Sequence, residues 1–131
     1  MRGSCLCGAV AYETTGTPIA FDLDHCPRCR KSSGSAFKAE LIIKSAGFRW
    51  VSGQSLVKIY EAPVQNTPPG YRRAFCAICG GPVPTVDKDT TNIPAGTLDD
   101  EPEIRPQRHI FVANKAAWFE ITDDLPRLPL K

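Results

Sequence analysis

Short runs of strand-forming residues recur along the chain, separated by turn residues, and they set the first expectation of fold. Residues 9–13, 19–23, 37–44, 48–51, 56–61 and 109–113 are enriched in β-branched, aromatic and other apolar side chains. The run Leu56-Val57-Lys58-Ile59-Tyr60 partly alternates, as a half-buried strand does. Ser45-Ala46-Gly47, Ser52-Gly53 and Pro68-Pro69-Gly70 supply turn chemistry between such runs. No segment sustains a 3.6-residue period over three turns, so helix is expected only as short turns near residues 30–33 and 115–118. The pattern predicts a mainly β fold with short helical turns and no parallel βαβ core. Residues 65–71, polar and proline-rich, read as a mobile loop. The tail over residues 123–131, with two prolines and three leucines, reads as an extended strap.

Composition narrows this picture. The 131 residues, 42% hydrophobic and 23% charged, read as one ordinary globular domain spanning 1–131, long enough to bury a core. No apolar run approaches the ~20 residues of a membrane helix, and no apolar stretch follows Arg2, so neither a membrane span nor a signal peptide is expected and the cytoplasm is the default location. A formal charge of +2, with cations scattered among acids, gives no phosphate-binding surface, so nucleic acid is not an expected partner. The oligomeric state leaves no signal in the sequence.

All six cysteines fall in three tight pairs, Cys5-x-Cys7, Cys26-x-x-Cys29 and Cys76-x-x-Cys79. A reducing compartment disfavours disulfides, and cysteines used merely as small hydrophobes have no reason to cluster. Such spacing is what thiolate chelation of Zn²⁺ requires. Cys76-Ala77-Ile78-Cys79-Gly80-Gly81 has the form of a zinc knuckle, with Gly80 free to take φ > 0 beyond the second ligand. One knuckle supplies two ligands. Cys5 and Cys7 can complete a closed structural site if Leu6 points away, but spacing alone equally permits Cys5 and Cys7 to join Cys26 and Cys29.

Asp24-His25-Cys26-Pro27-Arg28-Cys29-Arg30-Lys31 and the following Ser32-Ser33-Gly34-Ser35-Ala36-Phe37, together with Gly3-Ser4-Cys5-Leu6-Cys7-Gly8-Ala9-Val10, resemble the glutathione-dependent formaldehyde-activating (GFA) family. Phe75-Cys76-Ala77-Ile78-Cys79-Gly80, Gly96-Thr97-Leu98-Asp99-Asp100, His109-Ile110-Phe111-Val112 and Lys115-Ala116-Ala117-Trp118-Phe119-Glu120 extend the resemblance over nearly the whole chain, in the family's order. It implies an Mss4-like zinc-binding β fold. It also implies a structural zinc at Cys5, Cys7, Cys76 and Cys79, and a second, catalytic-type zinc at Cys26 and Cys29. Where the family usually has a third cysteine two residues before the CxxC, this chain has Asp24. Carboxylate oxygen is an accepted zinc ligand, so two thiolates, Asp24 and an open position make a weaker but workable second site. In an extended segment Asp24 and Cys26 share a face while His25 points the other way, to the surface or behind the ligands.

Other residues carry less. His109 opens a β-like run and reads as a strand or core histidine, and Trp118 and Phe119 read as core fillers. Asp99, Asp100 and Glu101 read as a solvated turn. The activity that the resemblance implies is that of a zinc-dependent carbon–sulfur lyase or synthase acting on a small thiol–aldehyde adduct, glutathione-type substrates included. Cys26, Cys29 and Asp24 would be at the catalytic centre, and Arg28, Arg30 or Lys31 could attract an anionic substrate. The alternatives are a non-enzymatic zinc module that binds a protein partner, and a redox dithiol at Cys26 and Cys29. The last ranks lowest, because the helix start within a βαβ pattern that such dithiols occupy is not visible.

Overall fold

The computed structural model describes residues 1–65 and 70–131 and is built mainly from strands, as the hydrophobic pattern predicts. In chain order these are β1 (Arg2–Ser4), β2 (Ala11–Thr14), β3 (Ala20–Asp24), helix α1 (Pro27–Ser33), β4 (Lys38–Lys44), β5 (Phe48–Ser52), β6 (Val57–Glu61), β7 (Arg72–Cys76), β8 (Thr85–Val86), β9 (Thr90–Pro94) and β10 (Arg108–Ile110). They form a three-stranded sheet ordered β1-β2-β5, a five-stranded sheet ordered β10-β3-β4-β9-β8, and a β6-β7 ribbon. All pairings are antiparallel except β10 with β3. The expected loop at 65–71 falls largely on residues 66–69, which lie outside the described residues.

Strand β4 shows how alternation places the core. Leu41 and Ile43 are buried on one face, where they meet Tyr12, Phe21 and Ile93. Lys38 and Glu40 stand at the alternate positions, so the first part of the opposite face of the same strand is polar. A second apolar cluster, of Cys5, Val10, Ala74, Cys76 and Val83, surrounds the first and third cysteine pairs, and Trp50 touches both clusters. Tyr12 anchors the larger one: its ring stacks on Phe48 and its hydroxyl lies 2.6 Å from Thr97 Oγ1.

Helix α1 starts three residues earlier than the helical turn expected at 30–33. Pro27 is well suited to the first helical position because its fixed φ suits the helix and its missing N–H would lack a helical acceptor there anyway. No helix forms over residues 115–118; the helical turn lies just before them, as a one-turn 3-10 segment at Val112–Asn114. The tail is extended along β10: His109 N–H donates to Pro126 O, Leu128 N–H to His109 O and Phe111 N–H to Leu130 O. Strands β1, β7, β8 and β9 lie outside the six runs, because short or threonine-rich strands and those ending in a metal-type turn lack a long apolar signature.

Gly3 lets β1 lie flat on Tyr12, since a Cβ at this position would come within 2.2 Å of the Tyr12 ring. Gly3→Ala is expected to cost about 1–3 kcal/mol of stability by overpacking. Urea unfolding measures this, and an unchanged midpoint would contradict the close approach.

Candidate metal centres

The first and third cysteine pairs converge. Cys5 follows β1 and Cys76 ends β7, and the ligand atoms of Cys5, Cys7, Cys76 and Cys79 all lie within 4.8 Å of one another. Two edges of this cluster are 3.6 Å between the sulfurs of Cys5 and Cys7 and 3.9 Å between those of Cys7 and Cys76. Four thiolates about 2.3 Å from one ion at tetrahedral corners stand about 3.8 Å apart, so the donor set and its spacing fit Zn²⁺. The open choice between partners for Cys5 and Cys7 is thereby resolved in favour of the knuckle.

Local backbone explains why the knuckle forms. Gly80 has φ 70°, which lets its N–H return to Cys76 O at 2.8 Å. Backbone N–H groups of Val10, Ile78 and Gly81 approach the sulfurs of Cys5, Cys76 and Cys79 at 3.4 Å each. The Gly81 N–H, followed by backbone at Cys7, brings the Cys79 thiol pKa down to about 6, favouring the thiolate that a metal needs. Leu6 points to solvent, as the paired-cysteine geometry requires.

The second group joins Asp24, at the end of β3, with Cys26, the N-cap of α1, and Cys29 in its first turn; these ligand atoms too lie within 4.8 Å of one another. Asp24 Oδ1 accepts the Cys26 N–H at 2.9 Å, and Cys26 Sγ accepts the Cys29 N–H at 3.3 Å. Asp24 therefore both holds the turn and faces the thiols. Its carboxyl pKa is raised by burial, which the Cys26 N–H partly offsets. A hydrogen bond from the Cys29 thiol draws the Cys26 pKa down to about 7, while the same partner and burial push Cys29 up. Two thiols and a carboxylate are a borderline-soft donor set that fits Zn²⁺, with a coordination position left over.

This second group opens into a cavity of about 300 Å³ on the polar face of the five-stranded sheet, the face turned away from Leu41 and Ile43. Lys38, Glu40, Tyr71 and Asn92 line it with the three ligand-type residues. Lys38 lies directly across from Asp24 in the β3–β4 register, and its Nζ stands 2.6 Å from Glu40 Oε1. Burial opposes charge on Lys38, but Glu40 and Tyr71 outweigh it and raise its pKa above the ordinary value. Phe111, at the rim, is the one described non-glycine residue with positive φ, at 54°. Lys38, Glu40 and Tyr71 were not among the sequence-level site residues. The available signal was Lys-x-Glu inside an otherwise apolar strand.

The remaining expectations divide. His25 does point away from the thiols, but it is buried rather than at the surface: its Nε2 lies 2.7 Å from His109 Nδ1, and its ring sits among Phe37 and Phe119. Desolvation, then the neighbouring His109, bring its pKa down to about 4. His109 is a core histidine as expected, held on its other nitrogen by Asp123 at 3.0 Å. Trp118 corrects its expectation, being 74% exposed, because neighbouring aromatic side chains at this turn diverge and only Phe119 reaches Phe37. Asp99 and Asp100 lie in a turn but tie down β1, accepting from Ser4 Oγ at 2.8 Å and from Arg2 N–H at 2.8 Å. Arg28 donates to Pro63 O, and with Lys31 and Arg73 it borders a separate cavity of about 440 Å³ that shares Tyr71 with the first. Arg30 is absent from both cavity linings. Cys26 does occupy a helix start, contrary to the basis on which the dithiol was ranked lowest, although β3 and β4 on either side of α1 are antiparallel.

Taken together, this is a mainly β protein with two cysteine-rich clusters, one closed and one opening into a cavity. The model of the family described as "Glutathione-dependent formaldehyde-activating enzyme" matches residues 1–114, and the chain belongs to that GFA family. A solved structure of a Rhodobacter sphaeroides protein is similar in fold, with a TM-score of 0.55 and 19% identity, covering 79% of this chain and 92% of that one. No curated protein matches the sequence. Among the described residues no helix is long and apolar enough to cross a membrane.

Cys76→Ser is expected to destabilise the whole fold by several kcal/mol in zinc-loaded protein, because Cys76 is fully buried within the closed cluster. An unchanged melting temperature would contradict a structural role. A chelator titration should remove metal in two phases, the Asp24 group first and without loss of fold; one cooperative loss of metal and structure would contradict two independent sites. Asp24→Ala should weaken metal binding at the second group alone and Asp24→Cys should tighten it, both readable by competition with a chromophoric chelator.

Proposed function

We propose that this protein is a zinc-dependent carbon–sulfur lyase or synthase acting on a small thiol–aldehyde adduct, with Cys5, Cys7, Cys76 and Cys79 holding a structural zinc and Asp24, Cys26 and Cys29 holding the working one. The carrying observation is the second donor group, which has a spare coordination position and opens into a cavity large enough for a small substrate, in a chain of the GFA family. Bound there, zinc would lower the pKa of a substrate thiol so that it is a thiolate at neutral pH. The chain's own groups do the rest. Asp24, locked by the Cys26 N–H, keeps the donor atoms aligned. Lys38, Glu40 and Tyr71, all partly or largely buried, line the cavity beside the donor atoms. The family description supports glutathione as the thiol and formaldehyde as the aldehyde. We place residues 1–131 in one domain and the protein in the cytoplasm, where its six free cysteines stay reduced. A non-enzymatic zinc module would need only the closed cluster and would have no use for an open donor group facing a cavity.

Exchange NMR on a mixture of glutathione and formaldehyde measures the test. Zinc-loaded protein is expected to accelerate formation and breakdown of the S-hydroxymethyl adduct over the spontaneous rate, and Cys26→Ser to abolish the acceleration while the fold is retained. Acceleration that survives Cys26→Ser, or none with glutathione or a smaller thiol, would overturn the proposal.

A further inference from the structure

A buried Lys–Glu pair at the start of a strand is costly. Removing two charges from water costs several kcal/mol per ion, and apolar residues of similar volume often serve stability as well or better. Lys38 and Glu40 have side chains only 14% and 11% exposed, yet they face a cavity rather than the core. Their position is specific: Lys38 is the cross-strand partner of Asp24, and both line the same wall as Cys26 and Cys29. One N–H of the ammonium faces Glu40 Oε1 at 2.6 Å, which leaves the other two of its three donors for a ligand. The ammonium also lies 5.7 Å from the centroid of the Tyr71 ring, which stabilises its charge without using an N–H on an oxygen acceptor. A fixed cation with unspent donors, beside a donor group for a thiol-binding metal, is placed to receive a developing negative oxygen.

From this cavity, ion pair and strand register we infer that Lys38 is a substrate-anchoring residue, its ammonium binding the oxygen of a thiol–aldehyde adduct, with Glu40 fixing its position. The inference rests on the open-site reading proposed above. In the addition direction, the thiol loses its proton to water, the sulfur lone pair forms the S–C bond to the carbonyl carbon, and the C=O π pair moves onto oxygen. Lys38 donates a hydrogen bond to that oxygen as it becomes negative, and water then supplies the proton that completes the adduct. Breakdown reverses each step, and no oxidant or reductant is needed. The site should therefore prefer thiols that carry a negative oxygen close to sulfur.

The test uses full-length protein loaded with cobalt in place of zinc, titrated with 3-mercaptopropionate and with its neutral isostere 3-mercaptopropionamide, and read by the sulfur-to-cobalt absorption. Wild-type protein is expected to bind the carboxylate thiol about tenfold or more tightly than the amide. Lys38→Gln should abolish most of that preference, and Lys38→Arg should retain it. Because Lys38→Gln leaves Glu40 buried without a cation, the double variant Lys38→Gln with Glu40→Gln supplies the same comparison without a stranded charge, at unchanged metal content. An undiminished preference in both variants overturns the role of Lys38 alone. Failure of both thiols to bind the wild-type cobalt protein overturns the open-site reading and this inference together.

Discussion

Two short segments far apart in the chain, residues 5–7 and 76–79, meet in a cluster of four thiols, and much of the architecture follows from that meeting. Cys5 leaves β1, which belongs to the three-stranded sheet, and Cys76 ends β7, which belongs to the ribbon. Bringing four thiolates within 4.8 Å of one another is unfavourable unless a cation neutralises them. The apolar residues Val10, Ala74 and Val83 close around the sulfurs and lower the dielectric there, which strengthens the attraction to such a cation. The cluster thus serves as a second core beside the one around Tyr12 and Leu41, with Trp50 in contact with both.

The five-stranded sheet performs a different task on each of its faces. One face is apolar and packs Leu41, Ile43 and Ile93 into the core; the other carries Asp24, Lys38, Glu40 and Asn92 over a cavity. The alternation of strand side chains makes this division possible with a single set of hydrogen bonds. His25, between Asp24 and Cys26, follows the same rule: it turns to the far side and is pinned by His109, which Asp123 holds in turn, so that the tail stabilises the segment carrying the second donor group. A carboxylate at Asp24 makes that group harder and more exchangeable than three thiolates would be, which suits a site that must admit and release a substrate.

Much of this was legible beforehand, and for identifiable reasons. Ligand spacing exposed the cysteine pairs, the Gly80 turn and the outward Leu6, because chelation imposes strict local geometry. Extended-chain periodicity also separated Asp24 from His25 correctly. What spacing could not supply was the pairing between remote segments, which came from the family resemblance and is matched by the folded geometry. Lys38 and Glu40 went unnoticed because a polar residue in a strand usually faces water; only the β3–β4 register shows that Lys38 lies across from Asp24 and Glu40 across from Asp22. Trp118 was misplaced because its apolar bulk gives no information about direction once the chain leaves a regular element.

The central claim is that one closed and one open metal position coexist in this chain. Zinc stoichiometry combined with zinc K-edge X-ray absorption on purified wild-type protein tests it most directly. The account predicts two zincs per chain and an averaged shell of about three sulfurs at about 2.3 Å with about one lighter ligand at about 2.0–2.2 Å. One zinc per chain in a pure four-sulfur shell would contradict it.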